Sequence, residues 1–314
     1  MSFLVELPEE TYRDRVSRPF AAATGFDLPT ARAMAWLAQL AYEQEPRIRA
    51  VLEQWGLAWT APIVGSASGF LPTTATRGFI AEGRDIRLVA FAGTDPVVLA
   101  NWLTDLNTLP TPDGMHAGFE AALNAVWPAL GAMLQANTTG KPLFFTGHSL
   151  GAALAVLAAR RTRDFTGVDG VYTFGMPRCG GDSFAGDYEA ILGGRTYRLV
   201  NGHDVVPTVP PSRFGFRHVG RLLLCPHGEP FDPSAQPSAL PVDEPSFSRT
   251  FVEGLRRGFR NLLRGEMPPP AQPGLLGKLY SFLPPAIGDH LPARYLRALG
   301  GLPDVTSIMI GTAS

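Results

Sequence analysis

Leu143-Phe144-Phe145-Thr146-Gly147-His148-Ser149-Leu150-Gly151-Ala152-Ala153-Leu154-Ala155-Val156-Leu157-Ala158-Ala159 is the stretch on which the reading of this chain turns. With Pro142 before it, Leu143 to Thr146 is a short apolar run that stops at Gly147. From Leu150 onward the residues are mostly strong helix formers. Between the two lies Gly-x-Ser-x-Gly. Such pentapeptides arise by chance, so the strand before it and the helix after it supply the specificity. Glycines at 147 and 151 permit a tight turn and a close approach of neighbouring backbone, which lifts the Ser149 hydroxyl above a sheet. The following helix aims its free N–H groups and positive dipole end at the same point, where a developing oxyanion is favoured. The competing reading is a glycine-rich turn with an ordinary serine cap.

Upstream, Thr30 to Glu45 reads as a helix with a Thr cap, ended by Pro46, and Arg47 to Trp55 as a second helix. Two apolar runs around Glu82-Gly83-Arg84-Asp85 suggest a hairpin over Phe79 to Thr94. A long helical pattern follows Gly118 to about Ala136, with Pro128 a local irregularity. Downstream, Val168 to Gly175 and Arg195 to Val200 read as strands, with a helix near Ser183 to Leu192 between them. Strands alternating with helices predict an α/β fold, a mostly parallel central sheet with helices on both faces. Past Cys225, prolines crowd residues 226–245 and 268–292. The expectation is one domain over residues 1–314, with a Pro-rich insertion or lid-like segment at about 226–285.

Bulk properties exclude several classes. The 314 residues are 45% hydrophobic and 18% charged, as in a soluble globular protein. A formal net charge of −1 gives no global field for nucleic acid, so no nucleic-acid partner is expected. Cys179 and Cys225 are read as two free thiols. Met1 to Arg18 lacks both the basic start and the apolar stretch of about 7–15 residues of a signal peptide. No window approaches the roughly 18 apolar residues of a membrane span. The default expectation is a cytoplasmic location, with export by a signal-less route as the alternative.

A serine hydroxyl is a weak nucleophile until a histidine accepts its proton, and the histidine needs a carboxylate to fix its tautomer. Histidines after Ser149 are His203, His218, His227 and His290; carboxylates include Asp164, Asp169, Asp182, Asp187, Asp204, Asp232 and Asp243. Asp204 lies just past the strand ending at Val200, where α/β folds place their chemistry. His290 lies late in the chain, on a loop before the helical Tyr295 to Leu299. A helix-capping aspartate and a surface histidine are the plainer alternatives. No metal ligand set is read, and no cofactor is required.

In chain order, several blocks resemble the fungal-type class 3 triacylglycerol lipases, of the α/β-hydrolase superfamily. They are Phe91-Ala92-Gly93-Thr94, Asn101-Trp102-Leu103-Thr104-Asp105-Leu106, His116-Ala117-Gly118-Phe119 and Gly147 to Ala155. Tyr172-Thr173-Phe174-Gly175-Met176-Pro177-Arg178, Arg198 to Pro207, and Asp289-His290 with Tyr295-Leu296 continue them. The resemblance implies a Ser149–Asp204–His290 triad and an oxyanion hole at Thr94 and Leu150. It gives His116 and His148 no part in proton transfer and leaves them to packing; Arg178 and Asp105 are read as scaffold. The sequence departs from the pattern at Ala92, where the family commonly has arginine, in lacking a signal peptide and disulfides, and in a longer Asp204-to-His290 stretch.

By the same resemblance a short lid falls on Asp95 to Ala100, with Pro96, Val97, Val98 and Leu99 as its apolar part. Ser246 to Arg264, if helical, carries Phe247, Phe251, Leu255, Phe259 and Leu262 on one face and arginines on the other. That pattern suits either a membrane surface or packing on a core. The implied activity is hydrolysis of lipid carboxylic esters through an acyl-enzyme, with a lipid or other ester as substrate and contact with a lipid interface. A phospholipase A1 or lysophospholipase, including a membrane-attacking effector, is the alternative. A non-catalytic lipid-binding protein is the outlying one.

Overall fold

The structure, a computed structural model, describes residues 7–13, 16, 25–66, 75–94, 111, 114–136, 140–227, 229–236 and 288–301. Its strands are β1 (Ala58–Ser66), β2 (Ala75–Glu82), β3 (Arg87–Phe91), β4 (Leu143–His148), β5 (Gly170–Phe174), β6 (Gly180–Gly181), β7 (Thr196–Asn201), β8 (Phe216–Arg217) and β9 (Arg221–Cys225). The helices are α1 (Leu28–Leu40), α2 (Glu45–Gln54), α3 (Ala117–Asn124), α4 (Trp127–Ala136), α5 (Leu150–Thr162), α6 (Asp182–Leu192) and α7 (Pro292–Ala298). One sheet runs β1-β2-β3-β4-β5-β7-β9, and β6 pairs with β8 in a separate ribbon. In the seven-stranded sheet the pairings β3–β4, β4–β5, β5–β7 and β7–β9 are parallel, while β1–β2, β2–β3 and the separate β6–β8 pair are antiparallel.

Strand composition explains the layering. Every residue of β3, β4 and β5 is buried, which is why these strands read as apolar runs rather than as an alternation. Successive side chains still go to opposite faces. Val89, Phe91 and Phe145 join the core beneath α3 to α6, while Leu88, Ala90 and Phe144 join the core beneath α1 and α7. Fully burying one such phenylalanine contributes about 1.5–3 kcal/mol.

The register decides where chemistry can sit. Phe91 lies opposite Gly147, His148 opposite Phe174, and Phe174 opposite Leu199. The parallel strands therefore end level. Thr94, Ser149, Gly175 and Asp204 follow those ends on one edge, the carboxyl edge of the sheet.

Several expectations hold and some shift. The β2–β3 hairpin forms around residues 83–86. The first helix starts at Leu28, because the Asp27 carboxylate, and not Thr30, caps it by accepting from the Thr30 N–H at 2.8 Å. It stops at Leu40, after which the buried Glu43 carboxylate accepts from the Leu7 N–H at 2.8 Å and the Tyr12 hydroxyl at 2.7 Å. Pro46 opens α2, where a missing N–H costs nothing. The helical pattern after Gly118 is two helices, broken at Ala125–Val126, with Pro128 in the first turn of the second. Strands β1 and β9 were not read from the sequence.

Candidate active site

The β4–α5 elbow is strained at one residue. Ser149 has φ 58° and ψ −128°, the sole positive-φ non-glycine residue among those described. Such a conformation costs on the order of 1–3 kcal/mol and persists only where the surroundings enforce it. Here they do. A side chain at 147 would run into the Gly151 backbone, and one at 151 into the Phe91 and Ala92 backbone. The Ser149 N–H also donates to the Phe174 carbonyl at 2.9 Å. Ser149 occupies the N-cap position of α5, yet its side chain makes no capping bond, so the ordinary-cap reading fails. Its Oγ is buried and has no hydrogen-bond partner among the described residues.

Asp204 and His290 come together although they lie 86 residues apart. The His290 Nδ1–H donates to Asp204 Oδ2 at 2.8 Å, leaving Nε2 buried without a hydrogen-bond partner among the described residues. Asp204 is 2% exposed and His290 4%, so this pair is shielded from water. The carboxylate has two further donors. The Tyr295 hydroxyl reaches Oδ2 at 2.5 Å, and the Val206 N–H reaches Oδ1 at 2.8 Å. Burial, then the Asp204 charge, pushes the Tyr295 phenol well above its ordinary pKa, so it stays a donor. The Asn201 N–H fixes that hydroxyl from the other side at 3.1 Å. Gly175, at φ +61°, is necessary here: a Cβ would stand 2.7 Å from Asp204 Oδ2 and 2.8 Å from His290 Nδ1.

A second set of bonds holds the His290 backbone. The His148 Nε2–H donates to the His290 carbonyl at 2.6 Å, and its Nδ1 accepts from the Tyr42 hydroxyl at 2.8 Å. Burial, then the neighbouring His290, drives the His148 pKa well below its ordinary value, consistent with this neutral tautomer. The residue before the elbow serine thus touches the loop that carries His290. The Asp289 carbonyl accepts from Asn201 Nδ2 at 3.0 Å. Its carboxylate accepts from the His203 N–H at 2.8 Å and from His227 Nδ1 at 2.7 Å. Burial pushes the Asp289 pKa up, but the bonds from His203 and His227 outweigh it and bring it down to about 2.

Thr94 is half-buried past the end of β3, and Leu150 is buried in the first turn of α5. Their loops meet around Gly93, where a Cβ would collide with the Tyr42 hydroxyl and lie 2.6 Å from the His148 carbonyl and 2.9 Å from Ser149 Cβ. Pro96, Val97, Val98, Leu99 and Asp105, and the Ser246–Arg264 segment, lie outside the described residues. Arg178 is scaffold, donating to the Thr208 and Pro210 carbonyls at 2.6 and 3.0 Å. His116 caps α3, accepting from the Gly118 N–H, and burial lowers its pKa to about 4. Cys179 and Cys225 are free and buried, which pushes both thiols up to about 12. Tyr42, and the contacts of Tyr295, His203 and His227, escaped the sequence reading.

With its parallel strands covered by helices on both faces and its strained serine at the β4–α5 elbow, the chain is an α/β-hydrolase in fold. Within that class, the family model of the class 3 lipases matches residues 88–214. A secreted mono- and diacylglycerol lipase of Fusarium solani is 33% identical over 168 residues, 51% of this chain and 50% of that protein. A secreted mono- and diacylglycerol lipase of Malassezia restricta is 47% identical over 97 residues, 29% of this chain and 32% of its own. A solved triacylglycerol lipase, described as having a serine protease triad as its catalytic centre, superposes with a TM-score of 0.52 at 25% identity. It covers 62% of this chain and 79% of its own. The match thus spans 50% of the first relative's length.

These relatives correct one expectation. Both acylglycerol lipases are named as secreted, which overturns the cytoplasmic location inferred from Met1 to Arg18. Among the described residues no helix is long and apolar enough to cross a membrane.

Proposed function

We propose that this chain hydrolyses carboxylic esters of acylglycerols through an acyl-enzyme on Ser149. The observation that carries this is the buried Asp204–His290 pair on the same sheet edge as a strained, uncapped, buried serine. In the first half-reaction Ser149 Oγ attacks the ester carbonyl as its proton passes to His290 Nε2. The Asp204 carboxylate holds the Nδ1–H tautomer and stabilises the imidazolium that forms. Backbone N–H groups of Thr94 and Leu150 receive the oxyanion; losing one such donor typically costs about 10²–10³ in turnover. The C–O bond breaks, the glycerol oxygen takes the proton from His290, and water repeats the sequence in reverse to free the fatty acid. None of these steps needs a metal or cofactor.

Ser149 has no exposed surface in this conformation, so substrate has to displace what covers it. The lid role that the resemblance gives Pro96–Leu99, which lie outside the described residues, belongs to this proposal, for action where the enzyme meets a lipid interface. We also take residues 1–314 as one catalytic domain with an insertion at about 226–285. The substrate class is tested with emulsions of mono-, di- and trioleoylglycerol beside phosphatidylcholine vesicles and p-nitrophenyl acetate. Release of oleate from acylglycerols at ten times the vesicle rate or more is expected. Faster release from vesicles would transfer the reading to a phospholipase, and turnover of the acetate alone to a short-ester esterase.

Tyr295 acts as a positioning residue for Asp204. A hydrogen bond to a charged group contributes about 1.5–3 kcal/mol. Tyr295→Phe keeps the ring packing and removes only the hydroxyl. A fall in kcat of about tenfold with KM little changed is expected from steady-state assays. An unchanged kcat would show that the Val206 N–H suffices to hold the carboxylate.

A further inference from the structure

Outside the Ser149 machinery, one group of titratable side chains converges without a part in the mechanism. His203, His227 and Asp289 each present a donor atom, and all three atoms lie within 4.8 Å of one another. His227 Nδ1 is 2.7 Å, and His203 Nδ1 3.5 Å, from Asp289 Oδ2. Gly202, at φ +50°, makes room for them, since a Cβ there would run into Asp289 Oδ2 and lie 3.0 Å from His227 Nδ1. Asp289 is buried, while the two imidazoles are 26% and 31% exposed. The group is therefore anchored on the inside and open to solvent outside.

We propose that His203, His227 and Asp289 bind one transition dication of the zinc class, with water completing the coordination. Two imidazole nitrogens and one carboxylate match a three-ligand zinc site, whereas calcium and magnesium select oxygen donors. Tetrahedral bonds of about 2.0–2.2 Å place donors roughly 3.3 Å apart, so the 2.7 and 3.5 Å spacings to Asp289 each need to change by less than about 1 Å. His227 coordinates through Nδ1 once its proton moves to Nε2.

The bound ion has a mechanical consequence. His203 immediately precedes Asp204, and Asp289 immediately precedes His290. His227 follows β9, whose end Cys225 lies opposite Asn201 of β7. One ion clamps all three loops and joins the two that carry Asp204 and His290. Binding free energy to the folded state appears directly as stability.

The test uses the full chain stripped with chelator, titrated with ZnCl2 and separately with CaCl2 and MgCl2. Calorimetry should show one equivalent of zinc bound, and the melting temperature should rise by about 5 °C at saturation. Calcium and magnesium should give neither. His227→Gln and His203→Gln should each weaken zinc binding at least tenfold, with folding checked by circular dichroism. Ser149→Ala should bind zinc like the unmodified chain, which separates this site from the proposed hydrolysis. No saturable one-equivalent binding in the unmodified chain overturns the proposal, whatever the variants do. So does binding that survives in the double glutamine variant, or an equal response to calcium.

Discussion

Ser149→Ala is expected to lower kcat for ester hydrolysis by about 10⁶ and to abolish labelling by a fluorophosphonate, while the fold is retained. The magnitude follows from removing the proposed nucleophile, through which its proposed partners would act. Binding and the remaining oxyanion donors leave a residual rate above that of water. The stability side of this experiment is equally informative. Ser149 Oγ is buried without a hydrogen bond among the described residues, so deleting it leaves no orphaned partner there. Alanine still has a Cβ at φ 58°, so the strain stays. Ser149→Gly removes that Cβ as well, and it should melt higher than Ser149→Ala, by about 1 kcal/mol in unfolding free energy. Denaturant titrations of both variants, alongside turnover of a p-nitrophenyl ester, measure the two halves together. A Ser149→Ala protein that still labels and turns over would remove Ser149 from the chemistry. Equal stability of the two variants would mean that the elbow is relaxed and its conformation incidental.

How much of this was legible in the sequence follows from the range of each interaction. Glycine-rich turns are local, so the elbow was readable: Gly147 and Gly151 sit within the motif and each meets backbone close by in sequence or on the next strand. The buried strands were readable because full burial leaves an unbroken apolar run, as in Leu143–His148. β1 was not, since it carries Pro62 and is mostly exposed at the edge of the sheet. Asp204 and His290 could be narrowed by chain order and loop position, yet only the resemblance joined them across 86 residues. The supporting bonds were illegible. Tyr42 to His148 spans 106 residues and His227 to Asp289 spans 62, with no spacing rule to announce either. The helix-start error was different in kind. Asp27 and Thr30 are both good capping residues, and Pro29 in the first turn was the local signal that favoured Asp27.

Asp204→Asn should lower kcat by about 10⁴ with little change in KM, although it alters a single atom. The reason lies in the fixed donors around the carboxylate. The Val206 N–H is backbone and cannot reverse its direction, and it points at Oδ1. An asparagine will therefore turn its carbonyl oxygen toward Val206 and its NH2 toward His290 and Tyr295. The opposite orientation sets the NH2 against the Val206 N–H and leaves a buried donor unpaired, at about 1–3 kcal/mol. The Tyr295 oxygen already accepts from the Asn201 N–H, and its hydroxyl proton then has to find another acceptor. Facing an NH2, His290 lowers its energy by accepting at Nδ1 and carrying its proton on Nε2. That tautomer cannot take a proton from Ser149. Asp204→Asn is thus expected to be folded, to bind substrate and to be nearly inert. Nitrogen chemical shifts of ¹⁵N-labelled histidine report the tautomer directly, and steady-state assays report kcat and KM. Loss of activity with His290 still protonated at Nδ1 would assign the effect to lost charge rather than to the tautomer. Activity within tenfold of the unmodified enzyme would remove Asp204 from the proposed triad, leaving its three hydrogen bonds as structural support for the loop.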